Sequence, residues 1–301
     1  MNELDAAGIL DPLLRESYTE CKRLNSLHGK TYYLATLLLP AHKRPFVHAL
    51  YGFARYADEI VDDLASTLTP IEKAEALHTW GQEVIEGIRS GTSNDQVGRA
   101  LIDTVQRFNI PIQHFIDFLH SMTMDLTVTS YQTYEDLMEY VYGSASVIGL
   151  QMVPILGPLT ERAYEPAEKL GTAFQLANFI RDVGEDLDRG RVYLPLQELA
   201  DDGVTREMLE KRVLTPEIIS ALKFQISRVR RLQEEARPGI LELAPESRAC
   251  IEAASELYCG IVDEVEKIDY DVFNKRAKTS TVRRLKVALP AYVRALSARQ
   301  S

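Results

Sequence analysis

Two widely separated acidic clusters carry the side chains best suited to chemistry. Asp58 and Asp62 stand four residues apart in ADEIVDD, and Asp182 and Asp186 repeat that spacing in FIRDVGED. In a helix this spacing stacks two side chains on one face, so each cluster aims a pair of carboxylates in one direction. Hard oxygen donors suit magnesium, with manganese as a substitute; such an ion keeps several waters and shares its other positions with phosphate oxygens. A single cluster is equally well explained as a solvated helix face, because exposed like charges at this spacing cost only about 0.2–0.5 kcal/mol. Two clusters weigh differently. Each has an arginine beside it, Arg55 and Arg181, and four carboxylates meeting in one cavity require cations to neutralise them.

The helices that position these acids are legible around them. Tyr51, Arg55, Asp58 and Asp62 form one polar stripe, with Leu50, Phe53, Ala54, Ala57, Val61 and Leu64 largely on the other side. Gln175, Asn178, Asp182 and Glu185/Asp186 repeat the pattern against Leu176, Ile180, Val183 and Leu187. Elsewhere, long stretches of helical period run between breaks near 40–45, 66–70, 90–95, 154–166, 189–195 and 238–239, with no alternating strand pattern. The expected fold is all-α, a single domain over residues 1–301.

Composition excludes several functions. The net charge of −10 argues against nucleic-acid partners. There is no GxxxxGK[ST], no GxGxxG after a strand and no HExxH. Cys21, Cys250 and Cys259 lack metal spacing and read as reduced and structural. No apolar stretch is long enough to cross a bilayer and the first residues lack a secretory pattern, so a cytoplasmic protein is expected. TYYLATLLLP reads as a buried helix rather than a membrane patch, and Trp80 as a core or surface anchor. Gly143, Ser144, Ala145, Ser146 and Gly149 make a slender helix face, serving either close helix packing or a tunnel for a long apolar chain.

The chain resembles the squalene and phytoene synthases, and its wording is nearest to bacterial phytoene synthases. The segments that carry the resemblance are LHGKTYYLATLLLP, YGFARYADEIVDD, SMTMDL, YVYGSASVIGLQ, QLANFIRDVGEDLDRGRVYLP and YDVFNKRAKTS. It implies an isoprenoid-synthase-type helical bundle around a central cavity. It also implies that Asp58, Asp62, Asp182 and Asp186 bind diphosphate through magnesium, with Asn178 in the metal shell. Arg55 would contact diphosphate, and Gln175 and Arg181 would order the second motif. His28, Lys30 and Thr31 fall in a segment near the first diphosphate, with Tyr32 at its aromatic position. Tyr140, Tyr142 and Tyr258 match positions near the migrating cation, Tyr142 within the catalytic set, and Lys275 falls where a basic residue meets diphosphate.

The reaction so implied joins two prenyl diphosphates head to head through a cyclopropylcarbinyl diphosphate; the phytoene-type product, from geranylgeranyl diphosphate, needs no reductant. Cationic groups stabilise the leaving diphosphate. Apolar walls keep water from the allyl cation, and aromatic faces contribute about 0.5–2 kcal/mol each. Two alternatives keep the same ionisation machinery: an aromatic acceptor, and a squalene- or dehydrosqualene-type synthase using farnesyl diphosphate. Transient membrane contact accompanies so apolar a product.

Overall fold

A computed structural model describes residues 2–62 and 67–299, without the Asp62 side chain. Asp63, Leu64 and the start of the break at Ser66 therefore lie outside the described residues. The helices are α1 (Glu3–Ala6), α2 (Pro12–His28), α3 (Lys30–Thr36), α4 (Arg44–Asp62), α5 (Pro70–Ser90), α6 (Gln96–Phe108), α7 (Gln113–Met124) and α8 (Tyr134–Val141). After a π-helical turn at Tyr142–Ser146 follow α9 (Val147–Leu156), α10 (Tyr164–Asp188), α11 (Leu196–Asp201), α12 (Arg206–Glu210) and α13 (Pro216–Ala236). The chain closes with α14 (Pro245–Cys259), α15 (Ile261–Lys267) and α16 (Thr281–Ala298). Apart from two isolated bridges, the described residues form no strand, as the periodicity predicts.

Local chemistry sets the helix starts. Asp11 accepts from the Leu14 amide ahead of α2, with Pro12 at the first helical position, and Thr69 and Glu72 form a capping box at α5. Most of the expected breaks fall where helices end, but α9 runs through Pro154 to Leu156. The residue after it, Gly157, adopts the left-handed conformation that stops the helix. The break between α2 and α3 lies at Gly29, where a Cβ would stand 2.7 Å from both Asn25 Oδ1 and the Tyr51 ring.

Two apolar clusters make up the interior. One gathers α2, α4, α6 and α7 with α9, α14 and α16, and the other gathers α8, α10 and α13 with the segments around Val192 and Val272. Trp80 belongs to the first, its indole stacked 5.5 Å from Phe53 and 4.9 Å from Tyr56. The second is rich in rings: Phe179 and Tyr193 stack at 4.1 Å, with Tyr131 and Tyr140 beside them. The three cysteines are free and buried. Of TYYLATLLLP, Ala35, Leu38 and Leu39 are buried while Leu34 is exposed.

Candidate active site

Along the seam between the two clusters runs an apolar cavity of about 260 Å³. Its walls come from α3 (Tyr32, Ala35, Thr36), the π turn (Ser144, Ala145), α9 (Ile148, Met152, Leu156), α10 (Leu170, Phe174) and α14 (Cys250, Ile251, Ala254). Both roles proposed for the small residues are filled, and Gly149 serves both, since it also lines the cavity. Ser144 and Ala145 face the cavity, and Gly143 and Gly149 admit neighbouring backbone: a Cβ there would lie 2.2 Å from the Asp117 carbonyl oxygen and 2.3 Å from that of Ala167. Gly171 does the same for the π turn, at 2.5 Å from the Ala145 carbonyl oxygen.

The cavity is polar where Gln175, Asn178, Tyr32 and Tyr258 reach it. Gln175 and Asn178 lie on the stripe of α10 that continues to Asp182, so the acid row and the tunnel share one helix face. Tyr258 stacks on Phe174 at 4.9 Å, and its phenol feels both Tyr51 of α4 and Arg181 of α10. Tyr32 lies 5.7 Å from Tyr51 and donates its hydroxyl to Met152 Sδ at 3.2 Å. Tyr51 in turn lies within the electrostatic reach of Arg55 and Asp58. The two polar stripes thus approach the same ring cluster from opposite helices. Burial pushes the phenols of Tyr32, Tyr51 and Tyr258 above the ordinary tyrosine range, keeping them protonated donors.

Asp182 is held by arginines: Arg181 Nε donates to it at 2.7 Å, its Nη2 donates to the second oxygen, and Arg276 Nε approaches to 3.2 Å. Arg276 also reaches Glu185 at 3.1 Å. Burial, then the neighbouring Asp182, raises the Asp186 carboxyl to about 7. The pull of Arg189 and Arg191 does not offset that burial, and a buried carboxylate beside a second one gains from a further cation, which is the fit expected of a metal ligand. On α4, Arg55 Nε pairs with Glu59 at 3.1 Å and Asp58 is exposed. Among the described residues, no three His, Cys, Asp or Glu side chains are gathered closely enough to hold a metal ion by themselves. Paired carboxylates that leave positions open suit magnesium, which keeps its waters and takes phosphate oxygens.

The sequence matches the squalene/phytoene synthase family over residues 26–283. The chain belongs to that family. It is 40% identical over 306 residues to a chloroplastic phytoene synthase of Daucus carota, covering 99% of this chain and 75% of that one. It is 38% identical to the 15-cis-phytoene synthase of Synechocystis sp., over 94% of this chain and 86% of that one. Among solved structures, a dehydrosqualene synthase superposes with a TM-score of 0.85 at 27% identity, covering 94% of this chain and 98% of its own. A squalene synthase from Alicyclobacillus acidocaldarius gives 0.80 at 25% identity, over 88% and 98%. None of these relatives carries an aromatic acceptor in its name, and the aromatic-acceptor alternative has no support among them.

In this squalene/phytoene synthase, several residues singled out by the sequence lie away from the cavity. Tyr140 is buried in the second cluster and donates its hydroxyl to Asp125 Oδ2 at 2.6 Å; Tyr142, at the start of the π turn, is exposed. Neither lines the tunnel. Lys275 is exposed and 3.8 Å from Asp271, and it is its neighbour Arg276 that meets the acids of α10. His28 and Lys30 are exposed on either side of Gly29, with Thr31 half-buried. Asp125, to which sequence reading gave no role, also accepts from Tyr193 at 2.8 Å, while Arg191 Nη2 donates to its backbone carbonyl at 2.7 Å. SMTMDL already contained that carboxylate, but its partners are distant in sequence and no periodicity marks them.

Proposed function

We propose that the protein condenses two geranylgeranyl diphosphates head to head to phytoene, as one catalytic unit, with magnesium or manganese and without a reductant. The observation that carries this is the apolar tunnel between helices, into which the Asp182 stripe of α10 brings Gln175 and Asn178. The names of the carrot and Synechocystis relatives support the product.

Asp58, Asp62, Asn178, Asp182 and Asp186 would hold the metal, which supplies charge to the departing diphosphate when bound. Arg55, Arg181 and Arg276 add fixed cations beside it, and His28, Lys30 and Thr31 border the same end of the chain. Lys275, two residues from the buried Phe273, supports them from the surface rather than by contact. Tyr32 and Tyr258 present ring faces to the cavity, where positive charge on the isoprenoid would travel. Gln175 orients the polar end, and the walls of α3, α9 and α14 exclude water. Tyr140 and Tyr142 act from behind the wall, by fixing α8 and the π turn that carries Ser144 and Ala145. No helix among the described residues is long and apolar enough to cross a membrane; we place the protein in the cytoplasm with transient membrane contact.

Mass spectrometry of products from farnesyl and geranylgeranyl diphosphate supplied separately, with and without magnesium and reduced nicotinamide, tests this. A forty-carbon hydrocarbon from the longer substrate, dependent on magnesium alone and lost in Asp182→Ala, is expected. A thirty-carbon product from farnesyl diphosphate only would favour the activity named for the dehydrosqualene synthase neighbour, and no hydrocarbon from either would refute both.

A further inference from the structure

The C-terminal helix α16 is apolar on two faces. Val287, Ala291 and Ala295 pack into the first cluster against α14, the helix that contributes Cys250, Ala254 and Tyr258 to the tunnel wall. Val282, Leu285, Leu289, Tyr292, Val293 and Leu296 occupy a second arc, on the outer side, and every one is exposed, Leu289 by 62% and Val293 by 66%. At 100° per residue these six fall within one continuous sector of roughly 100°, the width of an ordinary buried helix face. Here nothing among the described residues covers it.

The charge around this arc is as uneven as its hydropathy. Residues 275–299 hold eight Lys and Arg and no Asp or Glu, in a chain whose totals are 34 basic and 44 acidic residues. Four of these cations are committed inside the protein: Arg276 to Asp182 and Glu185, Arg283 to Asp263 and Glu264, Arg294 to Glu252, and Arg299 to the Leu38 carbonyl. Lys278 and Lys286 make no ion pair among the described residues, and Lys286 borders the apolar arc directly.

From this geometry we propose that α16 lies in the surface of an anionic lipid bilayer, its outer arc entering the acyl boundary and its flanking lysines and arginines meeting the headgroups. An apolar face edged by cations with no acid among them is the pattern of an interfacial helix. A negatively charged protein would otherwise be repelled from such a surface, so a basic segment that also carries an exposed apolar arc sets the docking orientation. That orientation brings α14, and with it the tunnel wall, one helix away from the lipid. The proposal gives a surface to the membrane contact suggested above and rests on that contact alone, since vesicle binding is read without substrate.

The test is flotation of the full chain with phosphatidylcholine vesicles, with and without phosphatidylglycerol. Binding should be roughly tenfold tighter, or more, to the anionic vesicles and should weaken with salt. The Leu289→Glu/Val293→Glu variant should lose about a hundredfold or more in vesicle affinity, since each buried aliphatic side chain accounts for roughly tenfold or more. Its circular dichroism melt and its turnover of detergent-dispersed prenyl diphosphate should stay unchanged. Equal binding by variant and parent, or no binding to either vesicle, overturns the proposal. So does a parent that fails to float but sediments as a dimer which the variant reduces to a monomer, because the arc then belongs to a second copy. Activity lost in both proteins with vesicle binding intact would count against the proposed reaction and leave the docking face standing.

Discussion

Gly149→Ala probes how closely the tunnel walls are set. The new methyl would stand 2.3 Å from the Ala167 carbonyl oxygen, where ordinary contact begins at 3.4 Å, so α9 and α10 must separate by about 1 Å. The obstruction is backbone on both sides and cannot rotate away, which puts the cost near the upper end of the ~1–3 kcal/mol typical of overpacking. Alanine's better helix propensity offsets about 1 kcal/mol of that. The net expectation is a loss of about 2 kcal/mol, or a fall in Tm of roughly 3 °C for a chain of this size. Thermal and urea unfolding followed by circular dichroism measure it directly. Because α10 carries Asn178 and Asp182, kcat/KM for geranylgeranyl diphosphate should fall as well. A variant as stable as the parent, or more stable through its helix propensity alone, would refute close backbone approach as the reason for glycine here.

Ala145→Phe fills the tunnel without meeting backbone, so the fold should persist while the longer substrate is rejected; with a single misfitted methylene worth about 1–3 kcal/mol, the preference for farnesyl over geranylgeranyl diphosphate should rise at least tenfold in competition assays read by mass spectrometry. His48 is fully buried, with Asn25 Nδ2 2.9 Å from its Nδ1, and burial pushes its imidazole down to about 4 despite the pull of Glu3. The unfolded chain therefore binds the proton more readily, and stability present above pH 6.5 should drain away as pH falls towards 4. The loss should be about 2 kcal/mol between pH 7 and pH 5, visible in urea midpoints and absent from His48→Leu. In Asp125→Ala two buried phenols, Tyr140 and Tyr193, lose their acceptor, and urea unfolding should show a loss of about 2–4 kcal/mol. Tyr140→Phe made in that background should cost far less than in the parent, which a double-mutant cycle reads out.

The acid rows and their helices were legible because helical periodicity is local: Gln175, Asn178 and Asp182 share a stripe whatever the rest of the chain does. The same holds for the caps at Asp11 and Thr69. What periodicity leaves open is decided by distant partners. Gly143 and Ser144 are adjacent and alike in size, yet one meets the Asp117 backbone and the other the cavity, a division made by α7 and by the π turn. Arg276 rather than Lys275 reaches the acids because that segment is irregular and has no repeat from which to read its facing. Tyr140 has a neighbour, Asp125, across an intervening turn, so its hydroxyl is spent inside the wall and not in the tunnel.

The tunnel lies between two packing units rather than within one, and Phe174 and Ile251 touch both. An isoprenoid entering it is therefore a keystone as well as a reactant, joining two halves that otherwise meet across a gap. Occupancy should bind their unfolding into one event and raise its temperature, so that the protein is at its sturdiest while at work and most easily pulled apart between turnovers.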